Sequence, residues 1–293
     1  MPIKILNEAV DLGVNFIDTA DVYGNRESEK AVGRLVRSCS ERIYVATKCG
    51  RRLTPHNNEA YTPQAMLRFV ENSLQNIGLE TLDLIQLHCP PTEVYYRPEI
   101  FEEFDKLIAE GKLQKLGVSV EKIEQALKAI EYPNVDTVQI IFNMFRQRPA
   151  GLFFQQALKR NIGVIVRVPL ASRLLSGKYD KNTTFKPGDH RHDNRQGEQF
   201  DKGETFSGVD YDTGLAAVSR LKELFPGQSL AQLALKWTLM FEAVSTVIPG
   251  ASKVEQVISN VEAGELRRFT KAEMGAIEDI YDEMIRPSVH HLW

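Results

Sequence analysis

Seven short apolar runs recur along the chain with amphipathic stretches between them, and this alternation constrains the fold more than any other feature. The runs are "VNFID" (14–18), "IYVATK" (43–48), "LDLIQLH" (82–88), "LGVSV" (116–120), "TVQIIFN" (137–143), "GVIVRVPL" (163–170) and "VSTVIPG" (244–250). Their length and apolar continuity predict buried strands, whereas "ESEKAVGRLVRS", "TPQAMLRFVENSLQNIG", "PEIFEEFDKLIAEGK" and "SVEKIEQALKAIE" carry apolar residues at helical spacing. Thr62 before Pro63 predicts an N-cap followed by a proline at the first helical position, and Gly78 and Gly111 predict helix stops. Strands that alternate with helices form a parallel sheet, because each crossover returns the chain in the same direction.

Two parallel architectures compete. A doubly wound dinucleotide fold would place GxGxxG after its first strand, and that pattern occurs nowhere in the sequence. The expectation is therefore a single α/β domain over residues 1–293, a TIM-type (β/α)8 barrel with only seven of the eight barrel strands evident. The opening "MPIKILNEAVDLG" reads as a helix with Pro2 near its start, so the eighth strand is expected upstream of residue 1.

At 293 residues, 43% hydrophobic and 26% charged, the chain can bury a substantial core. A net charge of −3 offers no footprint for nucleic acid and no polybasic patch for a membrane surface. Cys39, Cys49 and Cys89 are odd in number and lack CxxC spacing, which argues against a disulfide framework and a zinc knuckle. No apolar run reaches the roughly 20 residues that cross a bilayer, and the N-terminus lacks a signal-peptide layout. A cytoplasmic protein is expected, with no nucleic-acid or membrane partner and no metal.

Active sites of parallel barrels gather at the C-terminal ends of the strands, so ionisable residues that end apolar runs are the first candidates. Asp18 follows "NFI", Lys48 follows "IYVAT", His88 follows "LDLIQL", and Tyr23 lies on the loop after the first run. An ammonium beside a phenol stabilises the phenolate and lowers its pKa; Asp18 would hold Lys48 charged, and His88 would polarise a carbonyl together with Tyr23. This set suits carbonyl reduction, with hydride from a cofactor. Each residue also has a bland role: Asp18 as a helix cap, Lys48 as a solvated charge, His88 as a satisfied rim histidine, Tyr23 as packing. Their coincidence on three successive strands favours the acid–base reading.

In "FIDTADVYGN", "YVATK", "LDLIQLH" and "GKLQKLGVS", in that order, the sequence resembles the aldo-keto reductase superfamily from residue 3 onward. The resemblance implies that Asp18, Tyr23, Lys48 and His88 are a catalytic tetrad acting on a small-molecule carbonyl substrate, with Tyr23 as general acid–base. It also implies a nicotinamide cofactor. Ser119 and Gln139 would meet its carboxamide, the "LLSGKY" loop with Lys178 its pyrophosphate, and "IPGASKVEQVISN" with Gly250, Ser252, Lys253, Gln256 and Asn260 its adenosine end. Plainer roles stay open for two of these: a strand amide satisfied by backbone for Gln139 and a solvated surface charge for Lys178.

Three departures stand out. Val120 follows Ser119 where many members have Asn; Arg167 replaces the aromatic that stacks on nicotinamide; Gly250 and Gln256 align with the Lys and Arg that grip a 2′-phosphate. Arg167 would stack flat on the ring, bind an acidic substrate or pair with a carboxylate. Family habit favours NADP, and the last departure leaves NAD open.

Family members begin with a hairpin and the first barrel strand, so an unpaired edge is expected next to Asp18, with lower stability, weaker cofactor binding, and a monomer or weak homo-oligomer associating through that edge. A regulatory nicotinamide-binding subunit, as in the potassium-channel β subunits of the superfamily, and a truncated inactive relative are the alternatives to an enzyme. The polar segment 176–211 is expected to fold over cofactor or substrate, with His190 and His192 beside arginines rather than a metal. Tyr95, Tyr96 and Arg97 are read either as lining the substrate mouth or as surface turn residues, and the tail "RPSVHHLW" either as covering the barrel mouth or as frayed. Cys49 and Cys89 are read as small packing residues.

Overall fold

The structure is a computed structural model and describes residues 2–293. Its elements follow in the order α1 (Pro2–Asp11), β1 (Phe16–Asp18), α2 (Glu27–Ser38), β2 (Tyr44–Cys49), α3 (Pro63–Ile77), β3 (Leu82–His88), α4 (Pro98–Ala109), β4 (Leu113–Ser119), α5 (Ile123–Ala129), β5 (Val135–Ile141), α6 (Leu152–Lys159) and β6 (Gly163–Arg167). A short α7 (His190–Asp193), then α8 (Tyr211–Leu224) and α9 (Leu230–Thr238), precede β7 (Val244–Val247); α10 (Val254–Glu265), α11 (Lys271–Ile280) and α12 (Arg286–Val289) follow it. All seven expected strands form. They make one parallel sheet in sequential order, β1 to β7.

Helix boundaries follow the local chemistry. Thr62 caps α3 by accepting from the Ala65 N–H, with Pro63 at the first helical position, and Gly78 ends the helix in a left-handed conformation at φ 75°. There glycine avoids the Cβ clash that other residues meet.

The sheet curls as an open half-barrel and turns one face inward. Period-2 alternation puts Phe16 of β1, Ala46 of β2, Leu84 of β3 and Ile165 of β6 on that face, where they pack in one apolar cluster with Ile248 just past β7. Residues from the first and sixth strands meet only because the sheet bends round on itself. The interior is tight: a Cβ on Gly117 of β4 would run into Thr137 Oγ1 of β5. The outward face packs against the helices in a larger core that includes Val45, Ile85, Val118, Val138 and Val166. Among the described residues, β1 pairs only with β2 and β7 only with β6, so both ends of the sheet are edges.

Candidate active site

One step along the strands from the apolar cluster, the inward positions turn polar. Asp18 lies two residues after Phe16, Lys48 two after Ala46, Gln86 and His88 two and four after Leu84, and Arg167 two after Ile165. Gln139 of β5 and Ser119 of β4 are register partners at the same level. Strand periodicity therefore converts seven dispersed sequence positions into one polar layer at the C-terminal end of the sheet.

Lys48 and Asp18 form the centre of this layer. Lys48 is 1% exposed; its Nζ pairs with Asp18 Oδ2 and donates to the Thr19 carbonyl at 2.9 Å. Asp18 Oδ1 accepts from Gln139 Nε2 at 2.7 Å and from Gln86 Nε2 at 3.2 Å. A buried ion pair persists only when its remaining lone pairs are satisfied, and the two amides do that for the carboxylate. Gln86 escaped the sequence reading. Its one signal is a polar side chain inside "LDLIQLH", two residues before His88 and on the same face.

Tyr23 and His88 stand over this pair. Lys48 Nζ lies 5.0 Å from the Tyr23 ring centroid, and the Tyr23 and His88 rings meet edge to face with centroids 6.0 Å apart. Tyr23 keeps 43% of its surface exposed, so solvent and ligands reach it. Burial of its surroundings raises the phenol above its ordinary pKa; the Lys48 charge pulls the other way and offsets only part. The expectation of a net lowering by Lys48 is corrected here, because desolvation outweighs the ammonium. Burial first, then the charges of Lys48, Arg51 and Arg167, hold His88 well below the usual imidazole range. His88 is thus neutral at neutral pH, and its buried Nδ1 has no hydrogen-bond partner among the described residues.

Of the three roles open to Arg167, the structure places the guanidinium against a carboxylate. Arg167 Nη1 lies 3.5 Å from Glu204 Oε1, and Nη2 donates to the Val120 carbonyl at 3.1 Å and lies 3.7 Å from Cys89 Sγ. Burial acts to lower its pKa, but Cys89, Glu204 and Glu121 together outweigh that and hold it above the ordinary value. Among the described residues, Cys89, Glu121 and Glu204 bring possible metal-ligand atoms within 4.8 Å of one another. Arg167 lies against Cys89 and Glu204, and Arg51 Nη1 lies 3.6 Å from Glu121 Oε1. Cys49 and Cys89 are buried thiols with raised pKa, Cys89 to about 11, in keeping with packing rather than reactivity.

A nicotinamide group fits the donors that remain. Among the described residues, the hydrogen-bond partner of Ser119 Oγ is the Cys89 thiol, at 3.7 Å, and Arg167 Nε is buried without an acceptor. Gln139, by contrast, spends its amide nitrogen on Asp18 rather than on backbone. Toward the other end, a Cβ on Gly250 would meet nothing within 4 Å, and Lys253, the residue before α10, makes no side-chain cap bond. The Ser252 N–H and hydroxyl both donate to Gln256 Oε1. Asn260 lies on α10, and Lys178 follows Gly177, whose carbonyl accepts from Lys222 Nζ at 2.6 Å.

The surrounding segments divide between site and scaffold. The 176–211 segment brings Glu204 onto Arg167 through a turn at Lys202–Glu204, while His190 bonds Thr205 and His192 bonds Asp193. Trp293 is 6% exposed, sits over the Arg146 guanidinium at 4.5 Å and contacts the Gly203–Gly208 stretch, so the tail covers this turn rather than fraying. Tyr95 is buried core, Tyr96 is exposed, and Arg97 donates to the Asn58 and Tyr61 carbonyls.

Known proteins resemble this chain over most of its length. The model of the Aldo/keto reductase family matches residues 2–282. The uncharacterized oxidoreductase YqkF of Bacillus subtilis (strain 168) is 29% identical, over 95% of this chain and 89% of its own. The aldo-keto reductase yakc [NADP(+)] of Schizosaccharomyces pombe is 26% identical, over 87% of this chain and 75% of its own. Among solved structures, a glycerol dehydrogenase from Gluconobacter oxydans superposes with a TM-score of 0.78 at 29% identity, covering 97% of this chain and 85% of its own.

Proposed function

The chain belongs to the aldo/keto reductase family, and from that premise we propose that it reduces aldehyde or ketone carbonyls to alcohols, using a reduced nicotinamide cofactor with Tyr23 as the general acid. The observation that carries this reading is the buried Lys48–Asp18 pair set beneath Tyr23 and His88. The cofactor, when bound, supplies the hydride that reaches the carbonyl carbon. Everything else in the reaction falls to the chain.

The neutral His88 imidazole donates a hydrogen bond to the carbonyl oxygen and orients it toward Tyr23. As negative charge grows on that oxygen it becomes a far stronger base than the ground-state carbonyl, and the Tyr23 hydroxyl passes it a proton. A raised phenol pKa keeps the proton in place until then. The Lys48 ammonium stabilises the phenolate that remains, Asp18 holds the ammonium, and the exposed side of Tyr23 allows a proton to return from water.

Ser119 and Arg167 would hold the nicotinamide end, Lys178 the phosphates, and Gly250, Ser252, Lys253, Gln256 and Asn260 the adenosine end. NADPH is the preferred form in this reading, on the cationic side chains of Lys178 and Lys253 and on the NADP(+) in the name of the fission-yeast relative. Titrating the protein with NADPH and NADH by fluorescence, then following loss of reduced-cofactor absorbance with a panel of aldehydes, tests it. Failure of both cofactors to bind would overturn it.

A further inference from the structure

Behind the catalytic layer, the first turn of α2 grips the two strands that carry Asp18 and Lys48. Thr47 precedes Lys48 and so points out of the barrel, where its hydroxyl donates to Glu29 Oε1 at 2.6 Å. Asn76 near the end of α3 donates to the other oxygen, Glu29 Oε2, at 2.7 Å. Next door, the hydroxyls of Thr19 and Ser28 share a 2.7 Å hydrogen bond. Thr19 also donates its N–H to the Ala46 carbonyl at 2.8 Å and accepts from Lys48 Nζ through its own carbonyl.

Glu29 is 0% exposed and has no cationic partner among the described residues. A carboxylate buried without a cation costs stability unless hydrogen bonds offset it. Here each oxygen serves one donor, one from β2 and one from α3, so the side chain ties a strand to a helix. The same face of α2 is seated farther along. A Cβ on Gly33 would overlap the Ile77 carbonyl, and Arg37 Nη1 donates to that carbonyl at 2.6 Å. Residues 29, 33 and 37 recur every four positions, so one stripe of α2 rests on the end of α3.

The need for such a brace follows from the sheet. β1 has three residues and, among the described residues, shares a backbone ladder with β2 alone, so Asp18 depends on that ladder and on its side-chain bonds to Gln86 and Gln139. We propose that Glu29 and Thr47, with the Thr19–Ser28 hydroxyl pair, are positioning residues for proton transfer. They set the spacing of Asp18 and Lys48 and clasp the 19–28 loop that presents Tyr23. This rests on the catalytic reading above, since the spacing affects rate only if these groups transfer the proton. A displacement of about 1 Å in a catalytic group costs up to roughly a hundredfold in rate.

The test compares Thr47→Val, which keeps the shape and removes the hydroxyl, with Thr47→Ser, which keeps the hydroxyl. Thr47→Val is expected to lower kcat about tenfold, with carbonyl KM and cofactor Kd within about twofold, and Thr47→Ser to restore most of it. Amide hydrogen exchange over residues 16–28 should rise in Thr47→Val while the rest of the sheet is unchanged. An unaltered kcat with unaltered exchange would overturn the proposal. So would a fall in kcat that Thr47→Ser fails to restore, or one matched by weaker cofactor binding and faster exchange throughout. Should Tyr23→Phe turn over like the parent protein, the catalytic reading falls by itself, and the exchange measurement still judges the brace.

Discussion

Gln139 Nε2 donates a 2.7 Å hydrogen bond to Asp18 Oδ1, joining the fifth strand to the first across the barrel interior. This bond gives the sheet its transverse tie and leaves the second Asp18 oxygen to Lys48. Gln139→Leu removes the shorter of the two amide donors to a buried carboxylate, so it should destabilise the protein by about 1–3 kcal/mol. Gln139→Glu should do worse, because it sets a second carboxylate against the first. Urea unfolding midpoints check both.

The depressed pKa of His88 predicts a flat titration. Its ring protons in an NMR pH series should hold their shifts between about pH 5.5 and 8, where an ordinary imidazole near 6.5 would move. The linkage sign follows. In the unfolded chain His88 gains a proton near its ordinary value, while in the fold it stays neutral, so stability is intact above that value and declines as pH falls below it. His88→Gln should remove that part of the acid sensitivity.

Asp21 works in the opposite direction. It is buried, with Oδ1 unpartnered among the described residues; burial chiefly, then the neighbouring Glu29, raise its pKa to about 6, against partial relief from Arg52 and Arg26. A carboxyl whose folded pKa lies above its unfolded value favours the fold while protonated, and that advantage disappears as pH rises from about 4 through 6. Asp21→Asn should therefore melt higher than the parent protein at pH 7.5. The difference should close by pH 4.

Much of this fold was legible in the sequence because parallel strands buried on both faces write themselves as apolar runs. "LDLIQLH" and "GVIVRVPL" could scarcely be anything else, and Thr62-Pro63 with Gly78 delimits α3. The grouping of Asp18, Lys48 and His88 was legible for a related reason, since each is an ionisable residue that ends such a run. What escaped depends on contacts without period. Gln86 sits inside an apolar run, Glu204 reaches Arg167 from an irregular turn 37 positions away in sequence, and the Glu29–Thr47 bond joins two residues whose own segments read as ordinary helix and strand. The net pKa of Tyr23 was misjudged because a charge can be read from sequence and desolvation cannot.

The pairing of Arg167 with Glu204 predicts how the 201–208 turn is held. Arg167→Met leaves Glu204 without that cation, and the turn keeps its contacts with Arg146 and Trp293 and its hydrogen bonds to Ser172, Asn143 and His190. Limited proteolysis should then cut between residues 195 and 208 several times faster than in the parent protein, roughly the response to losing a partly buried pair. Glu204→Gln, which can still accept a hydrogen bond, should have a smaller effect.

The most direct test of the account is turnover by Tyr23→Phe. The substitution removes one oxygen atom from a side chain that is 43% exposed, so the fold and cofactor affinity should stay as they are. With NADPH and an aldehyde that the parent protein reduces, the account predicts an unchanged cofactor Kd and a kcat reduced by at least about 100-fold, within the range general acid catalysis supplies. A variant that reduces the aldehyde at the parent rate would contradict it.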